Sequence, residues 1–251
     1  MRRQEVLATQ KVTLYNGDCL EEMKKIPPHS VDMILCDLPY GTTQNKWDTV
    51  IPFEPLWEQY RRIVKHGGAI VLFGNQPFTS AVVASNVKQF RYSLVWDKRN
   101  AVGFLNANRM PLRRHEDILV FYDKLPTYNP QFWFSTPYTS KCRSHTSNYG
   151  KYELTETDAS DGRRFPTSVL AFAKPCGKDR HPTQKPVPLL EYLIRTYTND
   201  GETVLDNCMG SGSTGVACIN TGRSFIGIEK DEKWFRFAKN RIQGGETRAE
   251  T

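Results

Sequence analysis

The chain has 251 residues, of which 39% are hydrophobic, 24% charged and 12% aromatic. That length suits one large domain, or one domain carrying an insertion, and the composition excludes a disordered tail, a collagen-like fibre and a coiled coil. The net charge of +7 admits a nucleic acid partner without requiring one.

Met1 to Gln10 has no apolar core of the kind a secretory signal carries, and no stretch is long and apolar enough to cross a membrane. A first strand is expected over Lys11–Asn16 and a second, apolar throughout, over Val31–Cys36. Leu56, Trp57, Tyr60, Ile63 and Val64 follow at helical spacing, a run that His66-Gly67-Gly68 is expected to close. Strands over Ala69–Phe73, Arg91–Trp96 and Asp117–Tyr122 come next. Residues 123–180 break the rhythm and are rich in Tyr, Phe, Trp, Ser, Thr and basic residues. Stretches of this length without a period are usually functional or mobile. Beyond them, Leu189, Leu190, Leu193, Ile194 and Tyr197 repeat the helical pattern, and strands follow over Thr203–Asp206 and Ser224–Glu229. A last helix carries Trp234, Phe235, Ala238 and Ile242 behind Asp231 as its N-cap. Strands alternating with helices, several of them apolar on both faces, indicate an α/β protein built on a mostly parallel sheet.

The six cysteines, Cys19, Cys36, Cys142, Cys176, Cys208 and Cys218, are scattered and form no C-x-x-C pair. Cys142 with His145 and Cys176 with His181 are read as coincidences of spacing, so neither a metal site nor a disulfide framework is expected. Their expected setting is a reducing cytoplasm.

Two segments carry chemistry. In the first, Thr203 to Gly215 reads as strand, glycine turn and helix. Gly210 and Gly212 let the backbone approach a ligand, and the helix behind them offers free N–H groups. Glu229 ends the following strand, 23 residues after Asp206, where a carboxylate is placed to accept from ribose hydroxyls. Gly210, Gly212 and Gly215 also fit a dinucleotide fingerprint, which keeps an NAD-type oxidoreductase as a rival. Against that rival, three residues separate Asp206 from Gly210, and an acidic side chain there would repel a pyrophosphate. It suits a ligand with a cationic amino-acid end. A nucleotide-binding fold usually opens on this strand, yet only 22 residues follow Glu229. The rest of the sheet is therefore expected upstream, in permuted order.

The second segment is Asp37-Leu38-Pro39-Tyr40-Gly41, at the carboxyl end of the Val31–Cys36 strand. Asp37 is an acceptor, Pro39 stiffens the turn, Tyr40 offers a flat face and Gly41 permits an unusual backbone angle. Open α/β sheets bind ligands at such strand ends.

Together these residues resemble the permuted β class of amino DNA methyltransferases, of the orphan or phage-borne type. Asp37-Leu38-Pro39-Tyr40 resembles that family's Asp-Pro-Pro-Tyr motif, with Leu38 in place of the first proline. Leucine still supplies the carbonyl but not the rigidity. Asp206 to Thr214 resembles the AdoMet loop, and Ile226-Gly227-Ile228-Glu229 the ribose-binding strand end. His181-Pro182-Thr183-Gln184-Lys185-Pro186 resembles the segment over the methionine end of AdoMet, and Tyr15-Asn16-Gly17-Asp18-Cys19 the turn beside its adenine. His115-Glu116-Asp117-Ile118-Leu119-Val120-Phe121 resembles a later strand of the family. The matches run from about residue 13 to 240, interrupted only by the middle stretch.

The resemblance implies a circularly permuted, Rossmann-like AdoMet-dependent methyltransferase fold, with a mostly parallel seven-stranded sheet and helices on both faces. It implies a catalytic half over 1–122, an inserted target-recognition region over 123–180 and an AdoMet-binding half over 181–251. The implied catalytic set is Asp37, Leu38, Pro39 and Tyr40. The implied AdoMet set is Asp18, Cys19, Asp37, His181, Thr183, Lys185, Asp206, Gly210, Ser211, Gly212, Ser213, Thr214 and Glu229. Asp37 and the Leu38 carbonyl would accept the hydrogens of an amine on a flipped-out base, and Tyr40 would stack on that base through its face rather than its hydroxyl. An aspartate at the first motif position leans to adenine N6, whereas serine leans to cytosine N4. Seven basic residues and one acid fall between Lys88 and Arg114. Lys98, Arg99, Arg109, Arg113 and Arg114 are expected to meet phosphates, and Lys141, Arg143, Arg163 and Arg164 to read bases. DNA is the expected substrate, in a bacterial or phage-infected cell. A second copy of the chain is left open as a partner, and no membrane or metal is expected. The alternatives are cytosine N4, RNA or a protein side chain as the methyl acceptor.

Overall fold

The computed structural model describes residues 10–42, 48–141, 156–174 and 184–244, with the side chains of 140, 141 and 156–159 excepted. The apolar runs become strands β1 (Val12–Asn16), β2 (Val31–Cys36), β3 (Val64–Gly74), β4 (Phe90–Val102) and β5 (Arg113–Phe121). Helices α1 (Cys19–Met23), α2 (Phe53–Ile63) and α3 (Phe78–Ser85) lie between them. Further on come short strands β6 (Trp133–Phe134), β7 (Tyr138–Lys141), β8 (Glu156–Ala159), β9 (Arg163–Arg164) and β10 (Val169–Ala171). Helix α4 (Val187–Tyr197), β11 (Thr203–Asp206), α5 (Ser213–Thr221), β12 (Ser224–Glu229) and α6 (Glu232–Ile242) complete the order.

The main sheet runs β1-β12-β11-β2-β3-β5-β4-β10. Strand β5 is antiparallel to both of its neighbours and every other pairing is parallel. Strands from the end of the sequence thus sit between strands from its start, the permuted order that the glycine turn implied. An eighth strand extends the seven expected, because Val169–Ala171, inside the stretch read as irregular, pairs with β4.

Side-chain alternation divides the core into two layers. Met33, Leu35, Val71, Phe73 and Val204 pack with Leu190, Leu193, Ala217 and Ala238 of α4, α5 and α6. Ile34, Cys36, Ile70, Leu72 and Leu205 face the other way, onto Met23, Leu56, Trp57, Tyr60 and Val82 of α1, α2 and α3. Because both faces are covered, the strands read as unbroken apolar runs.

One helix end falls elsewhere than expected. Helix α2 stops at Ile63, where the Val64 N–H still donates to Tyr60, and β3 begins at once. His66-Gly67-Gly68 therefore lies inside a strand. A Cβ on Gly68 would come within 2.5 Å of Val64 and 2.8 Å of the Asp32 carbonyl. The glycine lets β3 press against β2 where their register shifts. Asp231 caps α6 as expected, accepting from the Trp234 N–H at 3.0 Å.

Residues 130–167 form a separate compact unit. Within it β6 pairs with β9 and β7 with β8, all antiparallel. The Arg164 guanidinium lies 4.3 Å from the Tyr138 ring centre, and that of Arg163 lies 5.2 Å from Phe132. Phe134 and Phe165 of this unit are exposed.

Candidate active site

Strands β11 and β2 are neighbours in the middle of the sheet. From β11 the chain moves to β12 on one side, and from β2 to β3 on the other. Loops at the carboxyl ends of two such strands diverge and leave a crevice. Asp206 ends β11 and Asp37 directly follows β2, so the two expected carboxylates stand at this switch point.

The glycine turn is built for close approach. Gly210 has φ +50°, and a Cβ on it would meet nothing within 4 Å, so its open side is available to a ligand. Gly212, with φ +74°, precedes α5, and a Cβ there would strike Ala238 at 2.9 Å. On Gly215 it would strike Ile242 at 2.5 Å, so this glycine serves helix packing. Arg241 of α6 holds the turn by donating to the Ser211 carbonyl at 3.0 Å and to Ser213 Oγ at 3.0 Å. Asp206 is buried and accepts from the Thr214 hydroxyl at 2.6 Å and the Cys208 N–H at 3.1 Å. Burial pushes its carboxyl up to about 6, although both hydrogen bonds oppose the rise. Glu229 accepts the Gly210 N–H at 2.9 Å and the Asp231 N–H at 2.8 Å, one on each oxygen. Its pKa is raised by burial against the pull of those N–H groups. These features fit a nucleoside carrying a cationic amino-acid end: an open glycine backbone, a buried carboxylate and a carboxylate fixed at the next strand tip.

At the opposite corner Asp37 is held from both sides. Its Oδ1 accepts from the Tyr40 hydroxyl at 2.6 Å, and its Oδ2 from Lys185 Nζ at 2.5 Å. Lys185 also lies 3.1 Å from Glu116 Oε2, and Lys98 Nζ lies 2.5 Å from Glu116 Oε1. Lys98, Glu116 and Lys185 are all buried. Burial raises the Asp37 pKa, which Lys185 draws down and Glu116 pushes up. Burial alone would weaken the Lys185 ammonium, but Asp37 and Glu116 reverse this and lift its pKa above the usual lysine value. Leu38 is buried among the residues beneath the turn, and Gly41, at φ +68°, donates its N–H to Asp48 at 2.8 Å.

The remaining expected residues divide. Asp18 caps α1 by accepting the Leu20 N–H at 3.0 Å, beside the tip of β12. Cys19 is buried, and its thiol pKa is raised by a hydrogen bond with Cys208 and by burial. His181 and Thr183 lie outside the described residues, as do Arg143 and the side chain of Lys141. Lys185, expected on the methionine end of a cofactor, has its ammonium bound to Asp37. Lys98 was expected on a phosphate-binding face, but it is buried against Glu116 and offers no charge to solvent. Arg99, Arg109 and Arg113, expected on phosphates, are exposed. Arg114 is exposed and grips Asp97 with two hydrogen bonds, at 2.7 and 2.9 Å. Arg163 and Arg164 belong to the separate unit.

Sequence reasoning passed over Glu116 as part of a strand, and it missed Arg241 altogether. Alternation offered a signal for Glu116, which shares a face with Ile118 and Val120 and so falls on a buried side. No pattern pointed to Arg241, because a last-turn arginine is ordinary on any helix.

Comparisons with known proteins agree with this geometry. Residues 31–240 match the family described as DNA methylase. The chain is similar to DNA adenine methyltransferase YhdJ of Escherichia coli (strain K12), 29% identical over 92% of this chain and 82% of that protein. It is also similar to Type II methyltransferase M2.LlaDCHI of Lactococcus lactis subsp. cremoris, 27% identical over 95% of this chain and 91% of that one. Among solved structures, the complex of M1.HpyAVI with SAM superposes with a TM-score of 0.63 at 26% identity, covering 92% of this chain and 98% of that one. The cytosine-N4-specific PvuII DNA methyltransferase shares the fold, with a TM-score of 0.68 at 14% identity, over 95% and 94% of the two chains.

Proposed function

The chain belongs to the DNA methylase family, and from that premise we propose that it methylates the N6 amino group of adenine at a defined site in DNA. The methyl donor is AdoMet, which supplies a methyl group on a cationic sulfur. The observation that carries the reading is the pair of carboxylates on adjacent strand ends, Asp206 on the glycine-turn side and Asp37 on the other.

Asp206 takes the cationic amino end of the donor, and Glu229 the ribose hydroxyls. Gly210 lets the backbone close on the nucleoside. Across the crevice, Asp37 and the Leu38 carbonyl accept the two hydrogens of the target amine. That arrangement turns the nitrogen lone pair toward the methyl group. AdoMet would supply a methyl group whose C–S bond breaks, its electron pair passing to sulfur, as the target nitrogen forms the new N–C bond, and Asp37 would hand the proton that the nitrogen sheds on to water. Direct transfer of this kind calls on no metal ion.

A base inside a duplex cannot reach this crevice, so it is extruded and stacked on Tyr40. Arg99, Arg109 and Arg113 grip the phosphates, and the 130–167 unit, with Arg163, Arg164 and exposed Phe134 and Phe165, reads the sequence. Aspartate at the first motif position and the adenine-specific relative favour adenine over cytosine. No helix among the described residues is long and apolar enough to cross a membrane, and we place the enzyme with DNA in the bacterial cytoplasm. Modification-aware sequencing of DNA from cells expressing the protein tests the reading. N6-methyladenine in one sequence context is expected; N4-methylcytosine in its place, or no new mark, would overturn it.

A further inference from the structure

Asp37 has no idle oxygen before substrate arrives: Tyr40 donates to Oδ1 and Lys185 to Oδ2. A target amine must displace or crowd one of these donors. The Tyr40 hydroxyl has Asp37 as its partner, three residues away on the same turn. Lys185 has an alternative. Glu116 Oε2 is 3.1 Å from Lys185 Nζ, it is buried, and among the described residues it receives no aligned hydrogen bond. Lys98 holds the other oxygen of Glu116 at 2.5 Å. The four groups, Asp37, Glu116, Lys98 and Lys185, sum to zero charge, and all but the half-buried Asp37 are shut off from water.

We propose that Lys185 is a positioning residue for methyl transfer. Its ammonium is the resting partner of Asp37 Oδ2 and turns to Glu116 Oε2 when the target amine takes that place. Lys98 keeps Glu116 still. The inference rests on the reading of Asp37 as the amine acceptor. Aromatic rings bound the movement: Phe73, Tyr40 and Trp96 lie 5.0, 5.9 and 6.0 Å from Lys185 Nζ. They attract the cation without giving it a hydrogen-bond acceptor, so the two carboxylates are its stations. Lys185 draws the Asp37 pKa down against the rise that desolvation causes, which favours the ionised carboxylate, the stronger acceptor. The charged and titratable groups around Asp37 are Tyr40 on its own turn, Cys36 on β2, Asp206 on β11, Glu116 on β5 and Lys185 ahead of α4. Lys98 pairs with Glu116, and the charge of Lys174 acts on Lys98.

The test uses the full chain with Lys185→Met, Lys185→Arg and Glu116→Gln. The single-turnover rate on DNA is measured against pH, beside AdoMet affinity by calorimetry. An opposite charge this close moves a carboxylate by about 1–3 pH units. In Lys185→Met the acid limb of the rate should climb by that amount, with at least about a tenfold loss near neutrality. AdoMet affinity should stay within about threefold, a spread of less than 1 kcal/mol. Lys185→Arg should keep the wild-type limb. Glu116→Gln removes the second station, so its plateau rate above the limb should fall while the limb itself moves down. An unmoved limb in Lys185→Met with weakened AdoMet binding would make Lys185 a cofactor ligand and overturn the proposal. So would an undiminished plateau rate in Glu116→Gln, a variant that conserves shape if Lys185→Met does not fold. Failure of the underlying reading looks different: wild-type protein would label no DNA, or Asp37→Asn would remain active.

Discussion

Strands β4 and β5 carry basic residues in the middle and at the tip of one antiparallel ladder, and the two places do opposite things. In the middle, Lys98 and Glu116 are buried and paired with each other, and through Lys185 they reach Asp37. At the tip, between Val102 and Arg113, there is no acid at all. Arg109 and Arg113 are exposed there, as are Phe104, Leu105, Met110 and Leu112. Similar charges, 11 to 15 residues apart in sequence, thus act on the chemistry in one place and on the surface in the other. Burial separates them: a desolvated ammonium must be matched group by group, whereas an exposed guanidinium is left for a polyanion.

The comparison breaks most sharply on stability. Lys98→Met leaves Glu116 with one cation for two buried oxygens. Removal of one member of a buried pair costs about 3–5 kcal/mol. In a chain of this size each 1 kcal/mol lowers the melting temperature by about 2–4 °C. Arg109→Ala and Arg113→Ala should leave the melting temperature unmoved, within about 0.5 kcal/mol. Equal melts for the Lys98 and tip variants would erase the distinction between them.

The next effect concerns the glycine-turn side, which the ladder does not reach. Asp206→Asn should weaken AdoMet by about 1.5–3 kcal/mol, the worth of a hydrogen bond to a charged group. The Asp206 carboxyl is raised to about 6. It is ionised above that pH and loses its charge as pH falls through it. Wild-type AdoMet affinity should therefore decline below pH about 6, and Asp206→Asn should lack that decline. Calorimetry across the acid range reads both. A pH-independent wild-type affinity would move the cationic end of the donor elsewhere.

Tyr40 sharpens the contrast from inside the crevice. From its sequence position, only its ring was expected to matter. Its hydroxyl donates to Asp37 at 2.6 Å, so Tyr40→Phe should lose up to about 1.5–3 kcal/mol of support for the charged carboxylate. Its acid limb should shift upward. Tyr40→Ala should lose base stacking as well, about 1–3 kcal/mol. A mismatched target should restore part of that second loss, because such a base is easier to extrude. Rates on paired and mismatched duplexes separate the two contributions.

The smallest effect belongs to the tip. For each phosphate that Arg109→Ala or Arg113→Ala releases, the salt slope of DNA binding should fall by about 0.9, on every sequence alike. An unchanged slope would return these arginines to ordinary solvation.

Most of the sheet was legible because strands buried on two faces leave unbroken apolar runs. Three strands, Val31–Cys36, Thr203–Asp206 and Ser224–Glu229, fall where expected to the residue. The helix stop read into His66-Gly67-Gly68 failed because glycine also permits a close strand approach, and sequence alone does not separate the two uses. Val169–Ala171 was missed because three residues give alternation too little length to register. In the candidate site, Asp37, Asp206 and Glu229 were legible as strand-end acids because acids next to glycine or proline turns stand out. Lys98 was misplaced by counting charge along the chain, which ignores the face each residue occupies. Its partner Glu116 was visible only through the period of two that it shares with Ile118 and Val120.

The central claim is that Asp37 directs a methyl group to adenine N6 in DNA. The most direct measurement follows methyl-tritiated AdoMet into DNA with wild-type and Asp37→Asn protein, then digests the product to nucleosides and separates them. The account predicts wild-type label in N6-methyldeoxyadenosine, reduced in Asp37→Asn by about 10²–10³-fold or more, a loss typical of a group that acts in the transition state. AdoMet affinity of the variant should stay within a few-fold. Label in N4-methyldeoxycytidine, or undiminished transfer by Asp37→Asn, would contradict it.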